Sequence, residues 1–394
     1  MRIAYVSADR GVPVFGLKGC SLHVQEVIHA FQQQGADLEL FAANVQGSPP
    51  QSLAGIATHS LQRTKTDNRA LREQADQAAN ADTLVRLRKS GPFDLVYERY
   101  SLWSHAGMSH ARQAGIPGVL EVNAPLIDEQ ARYRGLIDRA AAVKMARHCF
   151  STASILLAVS TKVADYLADF PGTRGKIHVV PNGVNPRRFP DQPDVGQAKD
   201  LFTVGFVGTL KPWHGLEELL DAFALLHANY PLARLLVIGD GPEAEQLRSR
   251  VSALGLARVV EMTGAVRPEA IPAQLARMDV GVAPYPDYPG FYFSPLKVYE
   301  YMAAGLPVVA SRIGQLGDLI AEGKSGLLYP PGEVQALASA LECLATDRSL
   351  AAQLGMSGRA CSRAQHSWDS RVAHILQLAG FGASARPLLA SGGR

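Results

Sequence analysis

Residues 291–305 have the sequence FYFSPLKVYEYMAAG, which predicts a loop that runs into a helix. Pro295 stands near the predicted first turn and Gly305 at the predicted end, as is usual for helix termini. A helix N-terminus offers unpaired backbone N–H groups and the positive end of a dipole, so it can bind a diphosphate. Lys297 lies in this first turn, and Glu300 follows within reach of a ribose hydroxyl. This combination favours a nucleotide-sugar site over a packing role.

Strands and helices alternate on both sides of this stretch. We predict strands over residues 204–207, 234–238, 259–263, 280–283 and 307–310, and in the first half over residues 3–7, 38–41, 95–97, 118–122, 155–159 and 177–180. A helix over residues 21–34 completes a βαβ unit at the start of the chain. The fold class is therefore α/β, with two doubly wound Rossmann-like domains. Ligands of such sheets bind at the carboxyl ends of the strands, so we expect a cleft where two such edges face each other.

A turn-rich segment over residues 181–189 marks the domain boundary. We predict an N-terminal acceptor-side domain over residues 1–185 and a C-terminal nucleotide-sugar domain over residues 186–370. A helix over residues 371–380 is expected to cross back to the first domain. Residues 381–394 are rich in Gly, Ser, Ala and Pro and are expected to form a flexible tail.

Composition excludes several classes of protein. The 394 residues are 47% hydrophobic and 19% charged, and the net charge of +3 is too small to indicate nucleic-acid binding. Four scattered cysteines indicate a reducing compartment, and no apolar run has the length of a bilayer span. The N-terminus does not resemble a signal peptide. We therefore expect a cytoplasmic protein. Residues 61–92 are basic, which indicates a solvated helix face or a patch that makes weak peripheral contact with the inner face of a membrane.

Three loops contain candidate site residues, each with a simpler structural alternative. Gly16 to Gly19 precede a helix with Ser21 as its expected N-cap, and their N–H groups either face a phosphate or form a tight turn. In the loop of residues 208–215, Lys211 or His214 is placed to put positive charge on a diphosphate, unless this is a plain surface loop.

The third loop follows the predicted strand of residues 118–122. Glu121 and Asn123 either bind sugar hydroxyls or merely shape a turn. Histidines do not cluster at metal-ligand spacing, so we expect no metal and no cofactor besides the nucleotide-sugar substrate. The glycine spacing also differs from the GxGxxG motif of nicotinamide dehydrogenases.

Together these motifs resemble the retaining GT-B glycosyltransferases of family 4, the "group 1" glycosyltransferases. The resemblance spans nearly the whole chain and is strongest over residues 204–331. It rests on motifs that occur in a fixed order, at residues 180–184, 208–215, 239–243, 294–305, 307–310 and 323–328. Trp368 and the helix after it resemble the segment that returns to the first domain in such enzymes.

The resemblance implies roles for individual residues. Glu300 matches the second glutamate of the family's E-x7-E motif and is expected to bind the ribose. Ser294, Pro295 and Leu296 match the segment whose backbone contacts the diphosphate. Gly16 and Gly19 belong to the loop near the donor phosphates, and Arg267 begins the loop that borders the base.

Three positions depart from the family pattern. The first glutamate of E-x7-E is Tyr292, and the family's histidine after the first-domain strand is Asn123. The arginine and lysine of the phosphate loop are replaced by Thr209 and His214. We expect Lys211 and Lys297 to supply the missing charge, with Asn123 as the third catalytic residue and Tyr292, Thr209 and His214 in substrate binding.

The expected activity is that of a hexosyltransferase, which transfers a sugar with retention from a nucleotide diphosphate donor to an acceptor hydroxyl. The acceptor is a glycan, a lipid-linked molecule or a small molecule, as in polysaccharide, glycolipid or glycoconjugate synthesis. Two alternatives stay open. The first is a non-catalytic sugar-nucleotide-binding partner of another transferase, and the second is a GT-B sugar-nucleotide epimerase.

Overall fold

The computed structural model describes residues 1–190, 200–288 and 290–382. The chain forms two compact units. Unit 1 contains Met1–Asn182 and the residues from Trp368 onward, and unit 2 contains Gly183–Ser367. The first division falls close to the predicted boundary at 185/186. Most of the predicted tail, residues 383–394, lies outside the described residues.

Unit 1 is built on a seven-stranded parallel sheet with the order β3-β2-β1-β4-β5-β6-β7. Its strands are β1 Arg2–Ser7, β2 Asp37–Ala42, β3 Ala57–Ser60, β4 Leu95–Arg99, β5 Gly118–Val122, β6 Ile155–Ala158 and β7 Ile177–Val179. Its first helices are α1 Gly19–Gln33, α2 Arg69–Ser90, α3 Ala106–Ala114, α4 Leu126–Tyr133, α5 Arg139–Thr152 and α6 Thr161–Ala168.

Unit 2 is built on a six-stranded parallel sheet with the order β10-β9-β8-β11-β12-β13. Its strands are β8 Phe202–Val207, β9 Ala233–Ile238, β10 Val260–Met262, β11 Val280–Ala283, β12 Val308–Ser311 and β13 Gly326–Tyr329. Its helices are α7 Leu216–Asn229, α8 Ala244–Ala253, α9 Ile271–Leu275, α10 Leu296–Ala304, α11 Leu316–Leu319, α12 Val334–Thr346 and α13 Arg348–Gln365.

The prediction of two parallel α/β sheets is confirmed. Central strands such as β11 are apolar at nearly every position and fully buried, because helices cover both faces of each sheet. The sequence analysis missed the strands β3 and β13 and the helices α3 to α5, α9, α11 and α13. Most of these elements are short, and packing against the rest of their unit stabilises them.

The expected N-cap of α1 was wrong. The helix begins at Gly19 with Lys18 in the N-cap position, and no side chain caps it. Ser21 lies within the helix and is completely buried. Burial against the core thus overrides the local capping preference of serine.

The last helix, α14 Trp368–Leu378, belongs to unit 1 although the residues before it belong to unit 2. It packs against α1, where the rings of Trp368 and His23 meet edge to face with centroids 4.8 Å apart. Trp368 is buried, so this contact anchors the returning segment.

Candidate functional site

The predicted donor residues of unit 2 follow two neighbouring strands. β8 pairs with both β9 and β11, so the strand order reverses between β8 and β11. The loop of residues 208–215 follows β8, and the loop that follows β11, described over residues 284–288 and 290–295, leads into α10. Ligands of doubly wound sheets bind where the loops of two such strands diverge. The fold therefore brings residues 291–305 close to the glycine-rich loop of residues 208–215.

Lys297 lies between these two loops. Its Nζ is 4.1 Å from the ring centroid of Phe206 on β8 and 5.0 Å from that of Tyr285 after β11. The residue is only 8% exposed, and within the described residues Nζ has no hydrogen-bond partner. Burial lowers the pKa of this amine to about 7. A buried, unpartnered amine is costly to the fold, and such a group is more common at a binding site than in a core.

Two glycines allow the loops to approach this lysine. Gly208 adopts a φ of +152°, and a Cβ at this position would lie 3.3 Å from both Cε and Nζ of Lys297. Gly215 adopts a φ of +66°, and a Cβ there would overlap the carbonyl oxygen of Pro284. Any larger residue at 215 would push apart the loops that follow β8 and β11.

His214 is held inside the glycine-rich loop. Its Nδ1 lies 2.5 Å from the carbonyl oxygen of Thr209, so the ring donates this hydrogen bond. Burial, and secondarily the positive charge of Lys297, lower the pKa of His214 to about 3. The ring is consequently neutral at physiological pH. It shapes the loop by hydrogen bonding, and the positive charge at this position comes from lysine.

The start of α10 presents backbone N–H groups. Pro295 occupies the N-cap position, and no side chain caps the helix. Ser294 and Pro295 are buried and Leu296 is half-buried. Farther along the helix, the hydroxyl of Tyr301 accepts a hydrogen bond of 2.8 Å from the backbone N–H of Val207. This bond fixes α10 against the end of β8.

Glu300 has a partner that the sequence analysis missed. Arg188 Nη1 lies 3.4 Å from Glu300 Oε1, and its Nη2 donates a 2.9 Å hydrogen bond to the carbonyl of Pro268. Arg188 belongs to a 3-10 turn at Pro186–Arg188, directly after the segment that marks the domain boundary. The two adjacent arginines, Arg187 and Arg188, were the feature of the sequence that could have indicated a cation near the donor site. Arg267, which the sequence predicts near the base, precedes Pro268 and is exposed.

The other predicted donor residues lie on the same two loops. Tyr292 is half-buried, with its ring 4.4 Å from that of Phe293. Thr209 is exposed, and the Nζ of the half-buried Lys211 lies 5.5 Å from the Trp213 ring centroid.

The predicted residues of unit 1 form a separate group at the end of β5. Glu121 is 4% exposed, and its Oε1 lies 2.5 Å from His23 Nε2. Arg99 Nη1 is 3.7 Å from Oε2 of the same carboxylate. Burial acts to raise the pKa of Glu121, but His23 and then Arg99 outweigh burial and leave this pKa lowered. The buried carboxylate is therefore ionised and paired inside unit 1.

The remaining unit 1 candidates lie nearer the surface. Asn123 follows β5 and is half-buried. Gly16 is half-buried in the loop before α1, and Gly19 is the exposed first residue of that helix. The contacts of Glu121, Asn123, Gly16 and Gly19 with a substrate stay predictions.

Two features are absent from the described part of the chain. Nowhere in it do three or more His, Cys, Asp or Glu side chains form a group able to hold a metal ion. None of its helices combines the length and the apolar character needed to cross a membrane.

Comparison with known proteins identifies both units. Residues 17–188 match the family described as Glycosyltransferase Family 4, and residues 202–347 match the family described as Glycosyl transferases group 1. The chain is 26% identical over 387 residues to a D-inositol 3-phosphate glycosyltransferase of Jonesia denitrificans, and this match covers 91% of the chain and 90% of that protein.

A second relative is a GDP-mannose-dependent alpha-(1-6)-phosphatidylinositol monomannoside mannosyltransferase of Mycolicibacterium smegmatis, with 28% identity over 245 residues. This match covers 59% of the chain and 63% of that relative, less than two thirds of its length.

Solved structures share the fold. A sucrose-phosphate synthase from Thermosynechococcus elongatus superposes with a TM-score of 0.76 at 21% identity, covering 96% of this chain and 98% of that one. Anabaena HepE in complex with UDP superposes with a TM-score of 0.70 at 22% identity, covering 96% and 99%. These findings confirm the predicted family and fold and support the hexosyltransferase class. The chain thus belongs to the GT-B glycosyltransferases, with a family 4 domain over residues 17–188 and a group 1 domain over residues 202–347.

Proposed function

We propose that this protein transfers a sugar from a nucleotide diphosphate donor to an acceptor hydroxyl with retention of anomeric configuration. The observation that carries the proposal is the buried, unpartnered amine of Lys297 at the start of α10, between the loops that follow β8 and β11. A diphosphate bound there would meet this amine and the free N–H groups of the helix. Glu300 would bind the ribose.

Charge stabilisation is the main chemical requirement of the reaction. As the bond between the anomeric carbon and the diphosphate breaks, negative charge grows on the leaving oxygen. Lys297, Lys211 and the N-terminal dipole of α10 would stabilise that charge. The acceptor oxygen would attack from the same face, and the departing phosphate would take its proton, so neither a protein nucleophile nor a metal is needed.

We assign different roles to the replaced family positions. His214 and Thr209 shape the phosphate loop through their mutual hydrogen bond. Tyr292 takes the place of the glutamate that holds the donor sugar in the family, so we expect its hydroxyl to contact the sugar. In unit 1, the buried Glu121 would hold the ring of His23 in place and so position the groups around it. Asn123 would contact the acceptor or the donor sugar.

The relatives suggest the first substrates to test. The mannosyltransferase relative is named for GDP-mannose, and both relatives are named for inositol-based acceptors. We propose a glycan, lipid-linked or small-molecule acceptor. We further propose that the protein works in the cytoplasm, with any membrane contact being peripheral.

The experiment is nucleotide release from GDP- and UDP-sugars with and without acceptors, followed by NMR of the product. We expect nucleotide release that depends on the acceptor. We also expect the product to have the same anomeric configuration as the donor sugar. Inversion would overturn the retaining mechanism, and turnover that survives Lys297→Ala and Glu300→Ala would overturn the site.

A second candidate is a non-catalytic sugar-nucleotide-binding protein. The aromatic ring at Tyr292 and the neutral ring of His214 favour it, because both replace charged residues of the family pattern. Nucleotide binding without turnover across the donor panel would support this candidate.

A further inference from the structure

Two buried polar atoms at the end of β5 complement each other. Glu121 Oε2 is a hydrogen-bond acceptor and Asn123 Nδ2 is a hydrogen-bond donor, and within the described residues neither atom has a hydrogen-bond partner. Only Val122, the last residue of β5, separates the two residues in the chain. Buried polar groups seldom lack a partner, so two complementary ones at this distance in the chain indicate a common role.

The carboxylate of Glu121 is held in place from two sides. Its Oε1 lies 2.5 Å from Nε2 of His23 on α1. Arg99 is the register partner of Glu121 on β4, and its Nη1 lies 3.7 Å from Oε2, too far for a hydrogen bond. His23 and then Arg99 lower the pKa of Glu121 and outweigh the opposing effect of burial. The carboxylate is thus a fixed, ionised acceptor whose second oxygen can still receive a donor.

The amide of Asn123 is a donor beside this carboxylate. After His23 and Arg99, it is the next side chain that lowers the pKa of Glu121. Its Nδ2 nevertheless does not reach an acceptor at full hydrogen-bond geometry. Such contacts are often long in a free enzyme and tighten when the substrate binds. The N–H end of this amide therefore faces Glu121, with room to move closer.

The orientation of the amide decides which group Asn123 offers to a ligand. Nδ2 is buried although the residue as a whole is only half-buried. An ionised carboxylate only accepts hydrogen bonds, so the reverse orientation would place two acceptor oxygens against each other. Oδ1 consequently lies on the side away from Glu121. Asn123 directly follows β5, at the edge where parallel sheets bind their ligands, and the group that it offers there is an acceptor.

We propose that Glu121 is a positioning residue that holds the N–H end of the Asn123 amide, so that Oδ1 accepts a hydrogen bond from a hydroxyl of the bound sugar. The inference rests on the proposed transferase function, because it gives a direction to the contact between Asn123 and the sugar. His23 and Arg99 contribute by fixing Glu121. The sugar must therefore offer a hydroxyl at this place, since an ether oxygen could not donate.

The test exchanges the donor and the acceptor of the pair. In Asn123→Asp two carboxylates face each other, and in Glu121→Gln the amide loses its anionic partner. We expect each single change to lower kcat for sugar transfer about 10- to 100-fold, because the group that contacts the sugar is misplaced. The double variant again has one donor and one acceptor, so its kcat should recover to within about threefold of the wild type.

Glu39→Gln is the matched control. Glu39 lies on β2 and pairs with His59 at 2.9 Å, so this change also removes a carboxylate from a Glu–His pair of unit 1. It should leave kcat unchanged. The dissociation constant of the nucleotide diphosphate should be the same in all of these variants, because residues of unit 2 bind it. Single variants as active as the wild type, or a double variant that does not recover, would overturn the proposal.

Heteronuclear NMR tests the contact without any need for turnover. The side-chain amide signals of Asn123 are assigned in isotope-labelled protein by their loss in Asn123→Asp. We expect these signals to shift in Glu121→Gln and to stay in place in Glu39→Gln. Signals that are unchanged in both variants would exclude the contact. Signals that shift in a protein without transferase activity would count against the proposed function and not against the contact between Glu121 and Asn123.

Discussion

The Nζ of Lys297 lies 4.1 Å from the ring centroid of Phe206, although the first belongs to α10 and the second to β8. This contact lies at the reversal of strand order in unit 2. An amine in such a position interacts with two aromatic faces and has no anion in the described residues. An anionic ligand at this position would give the amine a partner, as the proposed donor site requires.

Removing this amine should weaken nucleotide binding. We expect Lys297→Met to raise the dissociation constant of the preferred nucleotide diphosphate roughly 10- to 150-fold. This factor corresponds to the free energy that a hydrogen bond to a charged group usually contributes. Calorimetry measures this. Lys324→Met, which removes an exposed lysine of the same unit, serves as control and should change nothing. Equal affinities of both variants would contradict the assignment.

Nucleotide binding should take up a proton. The pKa of Lys297 is about 7 without a ligand, and a bound diphosphate must raise it because it favours the charged form. Above pH 7 the free amine is mostly neutral, so affinity should fall by about tenfold per pH unit until the pKa of the complex is reached. Calorimetry at pH 8 in buffers of different ionisation enthalpy measures the uptake. The absence of any difference from Lys297→Met would refute this prediction.

The same variant should be more stable than the wild type. The pKa of Lys297 in the folded state is below the unfolded value of 10.5, so the charged amine destabilises the folded state. This destabilisation is full below pH 7 and disappears as the pH rises to 10.5. We expect Lys297→Met to gain about 1–4 kcal/mol in unfolding free energy at pH 7, as apolar replacements of buried charges do. Urea unfolding at pH 7 and pH 10 measures the gain. A gain that is equal at both pH values would exclude the ionisation argument.

Glu300 should distinguish ribose from deoxyribose. If its carboxylate binds the sugar hydroxyls, the wild type should prefer a ribonucleotide diphosphate over its 2′-deoxy form, and Glu300→Gln should lose most of that preference. Arg188→Lys should have a smaller effect, because Arg188 acts through its 3.4 Å contact with Glu300. Competition binding of both nucleotides measures the ratio. A ratio unaffected by Glu300→Gln would show that the carboxylate binds something else.

His23 should matter for the stability of unit 1. Replacing it with alanine removes the nearer of the two charged partners of the buried, ionised Glu121, leaving Arg99 at 3.7 Å, and removes the ring that packs against Trp368. We expect a loss of about 3–5 kcal/mol in unfolding free energy. His374→Ala, at an exposed position on α14, should change stability little. Denaturant unfolding of both variants tests this, and similar midpoints would argue against the buried pair as a stabilising element.

Local patterns were sufficient for the architecture and for the donor loops. Buried apolar strands, glycine loops and the FYFSPLKVYEYMAAG stretch identified two parallel α/β units and placed Lys297 and Glu300 on one helix start, because strand burial and helix termini follow from neighbouring residues. Those patterns did not predict the start of α1, where core burial of Ser21 prevails over capping.

Contacts between distant residues depended on folding. The pairing of Arg188 with Glu300, the aromatic walls around Lys297, the neutral state of His214 and the His23–Glu121 pair each join residues from different elements. Desolvation and partner geometry set the charge of a buried group, and both arise only after distant segments pack together.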